Sequence, residues 1–205
     1  MALFIVLCYY FRELLNLQYM MIGSVIPDFE LDAYHKDELV KKKLSDFRGK
    51  WLIMVFYPAD FTFVCPTELV EIAHRYEEIQ KLGAEVVSVS TDTAFVHKAW
   101  HDHSPAIKEV QYPMLADPTG NVCRAFGTYI ENDGLSLRGT MIIDPEGVLK
   151  AMDIHDNSIG RSADEIIRKL QASIYVREHK GEVCPASWKP GSKTLKPGVD
   201  LVGKI

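Results

Sequence analysis

An apolar run that leads into a cysteine-containing turn constrains this chain more than any other feature. Residues 51–57 read WLIMVFY, an uninterrupted apolar segment typical of a strand buried on both faces of a sheet. A turn at residues 58–64 follows, and apolar residues then recur with helical spacing over residues 68–82 until Gly83. The pattern predicts a buried strand that leads directly into a helix, with Cys65 at the junction.

Cys65 is predicted to be an activated nucleophile. The unpaired N–H groups and the positive dipole end of a helix N-terminus stabilise a thiolate. Pro66 suits the first position of a helix and Glu68 its acidic first turn. The hydroxyl of Thr62 precedes the sulfur by three residues and is placed to hydrogen-bond the thiolate or an oxygen attached to it. The competing interpretation is a small apolar side chain in a core, which is common for free cysteines.

The rest of the pattern predicts an α/β fold. The order βαβαβ followed by ββα is typical of a thioredoxin-like architecture, a central mixed sheet flanked by helices. Residues 29–34 alternate as an edge strand does, and Ser162 with Glu165 forms a capping-box pattern at a helix start. The further predicted elements are strands at 85–91 and 113–117, a hairpin of strands at 137–144 and 148–155 joined by a turn at residues 145–147, and helices at 93–103, 121–126 and 162–175.

Composition and cysteine usage restrict the function classes. The chain has 205 residues with 47% hydrophobic content and a net charge of −5, which suits one globular domain with a short appendage. It carries no basic stripe, which argues against nucleic-acid binding. The four cysteines form no C-x-x-C pair, which disfavours a zinc ribbon or a thioredoxin-type dithiol. We therefore expect a reducing, cytoplasmic compartment and a catalytic use of sulfur.

Both ends of the chain differ from its centre. The apolar run at residues 2–11 is too short to cross a bilayer and lacks the flanks of a signal peptide. Residues 1–20 are therefore predicted to be an N-terminal extension of uncertain status, with a weak interfacial anchor as the alternative. Residues 181–205 are rich in proline, glycine and lysine, which predicts an extended C-terminal arm.

Three segments resemble the peroxiredoxin family. Pro58, Thr62 and Cys65 occupy the fixed positions of its peroxidatic-cysteine motif, P-x-x-x-[TS]-x-x-C. Arg138 lies in the family's R-G-[TF]-x-x-[IV]-D context, and the segment around Cys184 resembles the V-C-P-A-x-W element of the bacterial alkyl hydroperoxide reductase C type. The resemblance extends from about residue 21 to residue 205 and indicates a typical 2-Cys peroxiredoxin.

The resemblance implies an antioxidant peroxidase that reduces hydrogen peroxide and organic hydroperoxides. Cys65 would be the peroxidatic cysteine, and Cys184 of a partner subunit would resolve its sulfenic acid as an intersubunit disulfide. Thr62 and Arg138 would orient the peroxide and Pro58 would shield the sulfur. Residues 21–180 would form the thioredoxin-like peroxidase domain, and residues 181–205 the arm that carries Cys184.

The resemblance also implies which partners to expect. An enzyme of this family would need neither a metal nor another cofactor, and no membrane partner is expected. The reductant would be a dithiol, either a flavoprotein reductase or a thioredoxin-like protein. The assembly would be a homodimer, expected to form a ring of five dimers.

Other interpretations remain open at this point. A thiol–disulfide oxidoreductase shares the fold but should carry a second cysteine near Cys65, and an oligomeric holdase chaperone would not need Thr62, Arg138 and Cys184 together. His97, His101 and His103 suggest a metal site because residues four apart share a helix face, but no further ligands complete it. Cys123 is predicted to be a packing residue.

Overall fold

The computed structural model describes residues 19–204, so the expectation for residues 1–20 lies outside the described part of the chain apart from its last two residues. Nine strands and five α-helices are described. The strands are β1 (Glu30–His35), β2 (Glu38–Lys43), β3 (Trp51–Phe56), β4 (Ala84–Ser90), β5 (Met114–Ala116), β6 (Tyr129–Ile130), β7 (Leu135–Ser136), β8 (Arg138–Ile143) and β9 (Leu149–His155). The helices are α1 (Cys65–His74), α2 (Tyr76–Lys81), α3 (Ala94–His103), α4 (Asn121–Ala125) and α5 (Ala163–Glu178).

Seven of the strands form one mixed sheet in the order β2-β1-β5-β4-β3-β8-β9. The strands β3, β4 and β5 are parallel to one another, and the outer pairings are antiparallel. The strands β6 and β7 form a separate two-stranded hairpin. The predicted mixed sheet is therefore confirmed, and the hairpin of β8 and β9 lies where the turn at residues 145–147 predicts it.

The central strand β3 is buried on both faces, as its apolar run predicts. Its side chains alternate between two hydrophobic clusters, because successive residues of a strand point to opposite faces of the sheet. One cluster includes apolar residues of α1 and α5, and the other includes those of α4. The alternating residues are Ile53, Val55 and Tyr57 on the first face and Leu52, Met54 and Phe56 on the second. This burial fixes the point at which the chain leaves the sheet toward Cys65.

The prediction of an edge strand at residues 29–34 is wrong. The strand β1 pairs with β5 on one side and with β2 on the other, so β2 is the edge. The lysine-rich sequence of β2 has no apolar signal for a strand, and its burial is low throughout. The alternation in β1 instead reflects one-sided burial of residues such as Leu31 and Ala33.

The prediction of one continuous helix up to residue 82 is also wrong. The helix begins at Cys65, at the predicted junction, but Arg75 interrupts it with φ −103° and ψ 4° between α1 and α2. Neither proline nor glycine marks this break. The Arg75 side chain contacts Glu78 of α2 and Asp164 of α5, so the break lies where three helices meet.

The helix predicted at residues 162–175 is present as α5, which runs three residues further. Its predicted N-cap is confirmed, because the Ser162 side chain accepts a hydrogen bond from the Glu165 N–H at 3.5 Å. After α5 the chain contains a bridge between Val183 and Leu195 and a 3-10 helix at Val199–Leu201. Among residues 19–204, no helix is long and apolar enough to cross a membrane.

Candidate active site

Cys65 is the first residue of α1 and is fully buried. Pro66 follows at the start of the helix, and the N–H groups of Thr67 and Glu68 both donate to the Val64 carbonyl. The sulfur therefore lies at the positive end of the α1 dipole, where a negative charge is stabilised. This position agrees with the predicted junction between a buried strand and a helix.

Arg138 lies next to this sulfur. It is the first residue of β8 and only 3% exposed, and β8 is the antiparallel neighbour of β3. Its Nη1 donates to the Cys65 sulfur at 3.4 Å and to Glu68 Oε2 at 2.6 Å, and its Nε donates to the Asn157 carbonyl at 2.9 Å. The guanidinium is held by three contacts and directs positive charge at the sulfur.

Glu68 and Arg161 complete this charged cluster, and sequence reasoning missed this role for both. The Arg161 backbone N–H and Nε each donate to Glu68 Oε1 at 2.8 Å, and its Nη1 donates to the Gly139 carbonyl at 2.6 Å. Burial alone would raise the pKa of Glu68, but hydrogen bonds from Arg161 and the charges of Arg161 and Arg138 hold that pKa below its ordinary value. Glu68 is therefore an ionised bridge between two arginines.

The charges of this cluster do not cancel. Two guanidinium groups face one carboxylate, which leaves one positive charge in a buried region next to Cys65. Burial disfavours a charged sulfur, whereas an adjacent guanidinium and a helix N-terminus favour it. A thiolate would make the whole cluster neutral. The arrangement can therefore stabilise negative charge on the sulfur or on an oxygen that attacks or leaves it.

Thr62 and Pro58 belong to the turn between β3 and α1. Pro58 is buried and Thr62 is half-buried. The Thr62 hydroxyl donates its proton to the Ala59 carbonyl at 2.8 Å, not to Cys65. The expected hydrogen bond from Thr62 to the sulfur is thus absent from this conformation, and the hydroxyl oxygen has its lone pairs free to accept one.

Cys184 lies apart from this cluster, in the C-terminal arm. It is half-buried, and its sulfur is 3.9 Å from the Ala172 carbonyl of α5. Burial raises the pKa of the Cys184 thiol, and Glu182 adds to this effect whereas Arg168 opposes it. Both Cys65 and Cys184 are free thiols, so the structure does not join them within one chain.

A protein-family model described as AhpC/TSA matches residues 22–152, which is more than half of the chain. The chain belongs to the AhpC/TSA family. A second model, described as the C-terminal domain of 1-Cys peroxiredoxin, matches residues 175–204 of this AhpC/TSA protein. The second match covers most of the C-terminal arm.

Curated relatives of this AhpC/TSA protein carry the name alkyl hydroperoxide reductase C. The protein from Staphylococcus epidermidis is 51% identical over 187 residues, which cover 90% of this chain and 99% of the relative. The protein from Pseudomonas aeruginosa is 49% identical over 185 residues, with the same coverage of both chains.

Solved structures agree with this assignment. The crystal structure of Enterococcus faecalis AhpC is 48% identical and superimposes with a TM-score of 0.79, covering 81% of this chain and 99% of that one. The reduced 2-Cys peroxiredoxin of Plasmodium vivax is 29% identical, with a TM-score of 0.83 over 87% and 94% of the two chains. The predicted family, fold and thiol-peroxidase class of enzyme are confirmed.

The three histidines of α3 do not converge on one point in this AhpC/TSA protein. His97 is buried against Asp60, His101 lies beside the Tyr34 hydroxyl, and the His103 ring contacts the Ala99 carbonyl. This geometry does not support the metal site suggested by their spacing. Ligand atoms of Asp37, His101 and Asp102 do lie within 4.8 Å of one another, but Lys98 already pairs with Asp102 and the Tyr34 hydroxyl with Asp37.

Cys123 packs in the hydrophobic cluster on the α4 face of the sheet, in agreement with the packing interpretation of its sequence. Burial raises the pKa of its thiol to about 12, and the nearby Asp117 carboxylate adds to the effect. Cys123 therefore remains a neutral thiol at physiological pH and is unsuited to nucleophilic attack.

Proposed function

We propose that this chain reduces hydroperoxides through Cys65. The single observation that carries the proposal is the Arg138 guanidinium 3.4 Å from a fully buried sulfur at a helix N-terminus. The Cys65 thiolate attacks the terminal peroxide oxygen, an S–O bond forms, and the O–O bond breaks. Cys65 becomes a sulfenic acid, and the leaving oxygen takes a proton and departs as water or alcohol.

Arg138, Thr62 and Pro58 have separate roles in this proposal. Arg138 stabilises the charge that moves from sulfur to the leaving oxygen, and Glu68 and Arg161 keep its guanidinium in place. Thr62 orients the bound peroxide through its hydroxyl. Pro58 is buried beside the junction and excludes water from the sulfur.

Cys184 of the partner subunit resolves the sulfenic acid in the second step. Its thiolate attacks the Cys65 sulfur, an S–S bond forms, and the S–O bond breaks as the sulfenic oxygen takes up a proton and leaves as water. Cys65 is fully buried, so the first turn of α1 must open before a sulfur on another chain can reach it. A dithiol, from a flavoprotein reductase or a thioredoxin-like protein, then reduces the disulfide. In this division of the chain, residues 21–180 are the peroxidase domain and residues 181–205 the resolving arm.

The proposed assembly is a homodimer that forms a ring of five dimers. Two surfaces support association. The strand β9 is an edge of the main sheet and is therefore available for pairing with a second copy. Three aromatic side chains near the turn and α3 are exposed, namely Phe61 at 57%, Phe63 at 92% and Phe95 at 72%. We also propose that the protein works in the cytoplasm, where thiols are kept reduced.

The proposal is tested by treating the reduced protein with one equivalent of hydrogen peroxide. A dimer band should form on a non-reducing gel and disappear with dithiothreitol, and Cys184→Ser should prevent the band but retain a Cys65 sulfenic acid by mass spectrometry. An NADH- or NADPH-coupled assay with each candidate reductant then identifies the partner. Peroxide consumption that survives Cys65→Ser would refute the proposal, and disulfide exchange without peroxide consumption would favour a thiol–disulfide oxidoreductase.

A further inference from the structure

A buried histidine–aspartate pair lies beneath the turn that carries Thr62, outside the charged cluster at Cys65. The side chains of His97 and Asp60 are 0% and 1% exposed, and His97 Nδ1 is 2.7 Å from Asp60 Oδ2. His97 belongs to α3, whereas Asp60 lies in the turn between β3 and α1. The pair therefore connects the active-site turn to a separate helix.

The partners of His97 fix the orientation of its ring. Its Nε2 is 3.2 Å from the Leu115 carbonyl oxygen, and its Nδ1 is 2.7 Å from Asp60 Oδ2. Because each ring nitrogen has a polar partner, the ring is held by β5 on one side and by the active-site turn on the other.

Asp60 is also fixed by hydrogen bonds to residues other than His97. Its Oδ1 accepts from the Tyr57 hydroxyl at 2.6 Å, and burial raises the pKa of Tyr57 well above its ordinary value, so the hydroxyl stays a donor. The Asp60 backbone N–H donates to Asp92 Oδ2 at 2.8 Å. Burial raises the pKa of Asp92, and the charge of Asp60 adds to this effect. Two carboxyl groups thus meet at this turn, and the His97 ring lies beside the carboxyl group of Asp60.

The turn needs such a restraint because it contains a strained residue. Phe61 follows Asp60 and adopts φ 54°, a left-handed conformation that is uncommon for residues other than glycine. Its ring centroid lies 6.1 Å from that of Trp100 on α3, and the next residue is Thr62. If Asp60 were released, Phe61 could relax, and the turn that carries Pro58 and Thr62 would move.

We infer that Asp60 and His97 form a positioning pair that holds Pro58 and Thr62 over Cys65 during attack on the peroxide. The inference rests on the proposed role of Cys65. The pair does not touch the sulfur, so it acts through the conformation of the turn. Removal of either partner should slow the oxidation of Cys65 but not the later attack by Cys184, because that attack takes place only after the α1 turn has opened.

The test compares Asp60→Asn and His97→Gln with the control His101→Gln. His101 lies one turn further along α3 and contacts Tyr34 rather than the turn. Stopped-flow measurement of the first oxidation should show a loss of about 10- to 100-fold for each of the two pair variants. The double variant should be no slower than either single variant, because both remove the same interaction. The control should oxidise at the wild-type rate. The rate constant for forming the disulfide from the Cys65 sulfenic acid should not fall in any variant.

Nitrogen-15 NMR of histidine-labelled wild-type protein provides a readout that does not depend on how the variants fold. Both ring nitrogens of His97 should show hydrogen bonding, with Nδ1 bonded to Asp60. A ring without the Asp60 hydrogen bond, first-oxidation rates within twofold of the control, or losses that multiply in the double variant would overturn the positioning pair. A wild-type protein that does not consume peroxide would instead reject the proposed function, so the two failures are distinguishable.

Discussion

The two cysteines of the proposed cycle lie in opposite environments. Cys65 is fully buried at a helix N-terminus, with a guanidinium 3.4 Å from its sulfur. Cys184 is half-buried on the arm, and burial with the nearby Glu182 raises the pKa of its thiol. One sulfur lies where negative charge is stabilised, and the other lies where the neutral thiol is favoured.

This difference separates the two chemical tasks. A sulfur that attacks peroxide must be a thiolate in a fixed geometry, which a buried charged cluster provides. A sulfur that resolves a sulfenic acid must travel to another chain, which an arm outside the core permits. The burial of Cys65 also hides it from Cys184, so the proposed cycle requires the first turn of α1 to open between the two steps.

The largest difference in rates is expected between variants that lack one sulfur or the other. Cys65→Ser should abolish peroxide consumption, because it removes the nucleophile, whereas Cys184→Ser should leave the first oxidation at the wild-type rate and stop recycling. Stopped-flow oxidation and a coupled steady-state assay measure the two steps separately. Equal loss of the first step in both variants would contradict the division of roles.

Removing the cation beside each sulfur should have the next largest effect. Arg138→Met should slow Cys65 oxidation by about 10²- to 10³-fold, because the charge on the reacting oxygens loses its donor. Arg138→Lys should retain part of the rate, since it keeps a charge but not the guanidinium geometry.

Arg168→Met is the matched control, because Arg168 donates to the Trp188 carbonyl on the arm side. Its first-oxidation rate should equal that of the wild type. A similar loss in the Arg138 and Arg168 variants would show that the rate depends on the net charge of the protein and not on the contact between Arg138 and Cys65.

Removing the acidic residue of each region should affect stability unequally. Glu68→Gln should lower the free energy of unfolding by about 3–5 kcal/mol, because two buried guanidinium groups lose their carboxylate. Glu182→Gln should cause a much smaller loss, since Glu182 accepts hydrogen bonds from Tyr175 and Thr194 near solvent. Urea unfolding measures both, and equal losses would contradict the buried bridge.

The same bridge should make stability depend on pH. The pKa of Glu68 is lowered from an ordinary value of 4.5, so the folded state binds this proton less readily than the unfolded state. Its contribution is therefore fully present above that value and is lost as pH falls through the depressed pKa. The difference in unfolding free energy between wild type and Glu68→Gln should shrink below pH 4.5. A stability difference that grows as pH falls would show that folding raises the pKa of Glu68 instead of lowering it.

The smallest effect is expected at the third free cysteine of the described chain. Cys123→Ala should lower the free energy of unfolding by about 1 kcal/mol, because a small buried group is removed from the core. Peroxide consumption and disulfide formation should not change. Loss of the dimer band in this variant would give Cys123 a redox role that its environment does not support.

The sequence alone predicts Cys65 as the nucleophile, and it determines the local structure around this residue. The apolar run of β3, Pro66 and the helical spacing after it are local signals, and local signals decide where a strand ends and a helix begins. The motif around Cys65 and the context of Arg138 then indicated the family. The N-cap at Ser162 and the hairpin of β8 and β9 were predictable for the same reason.

Only the tertiary structure decided how the charges pair. Arg161 binds Glu68 across 93 residues of sequence, and His97 meets Asp60 across 37. Neither pairing has a local pattern, because each depends on which strands and helices become neighbours in the sheet. The pairing of β1 with β5, which leaves β2 at the edge of the sheet, likewise depends on contact between distant segments. Local sequence signals predict which sulfur reacts, and the packing of the sheet and helices determines which charges surround it.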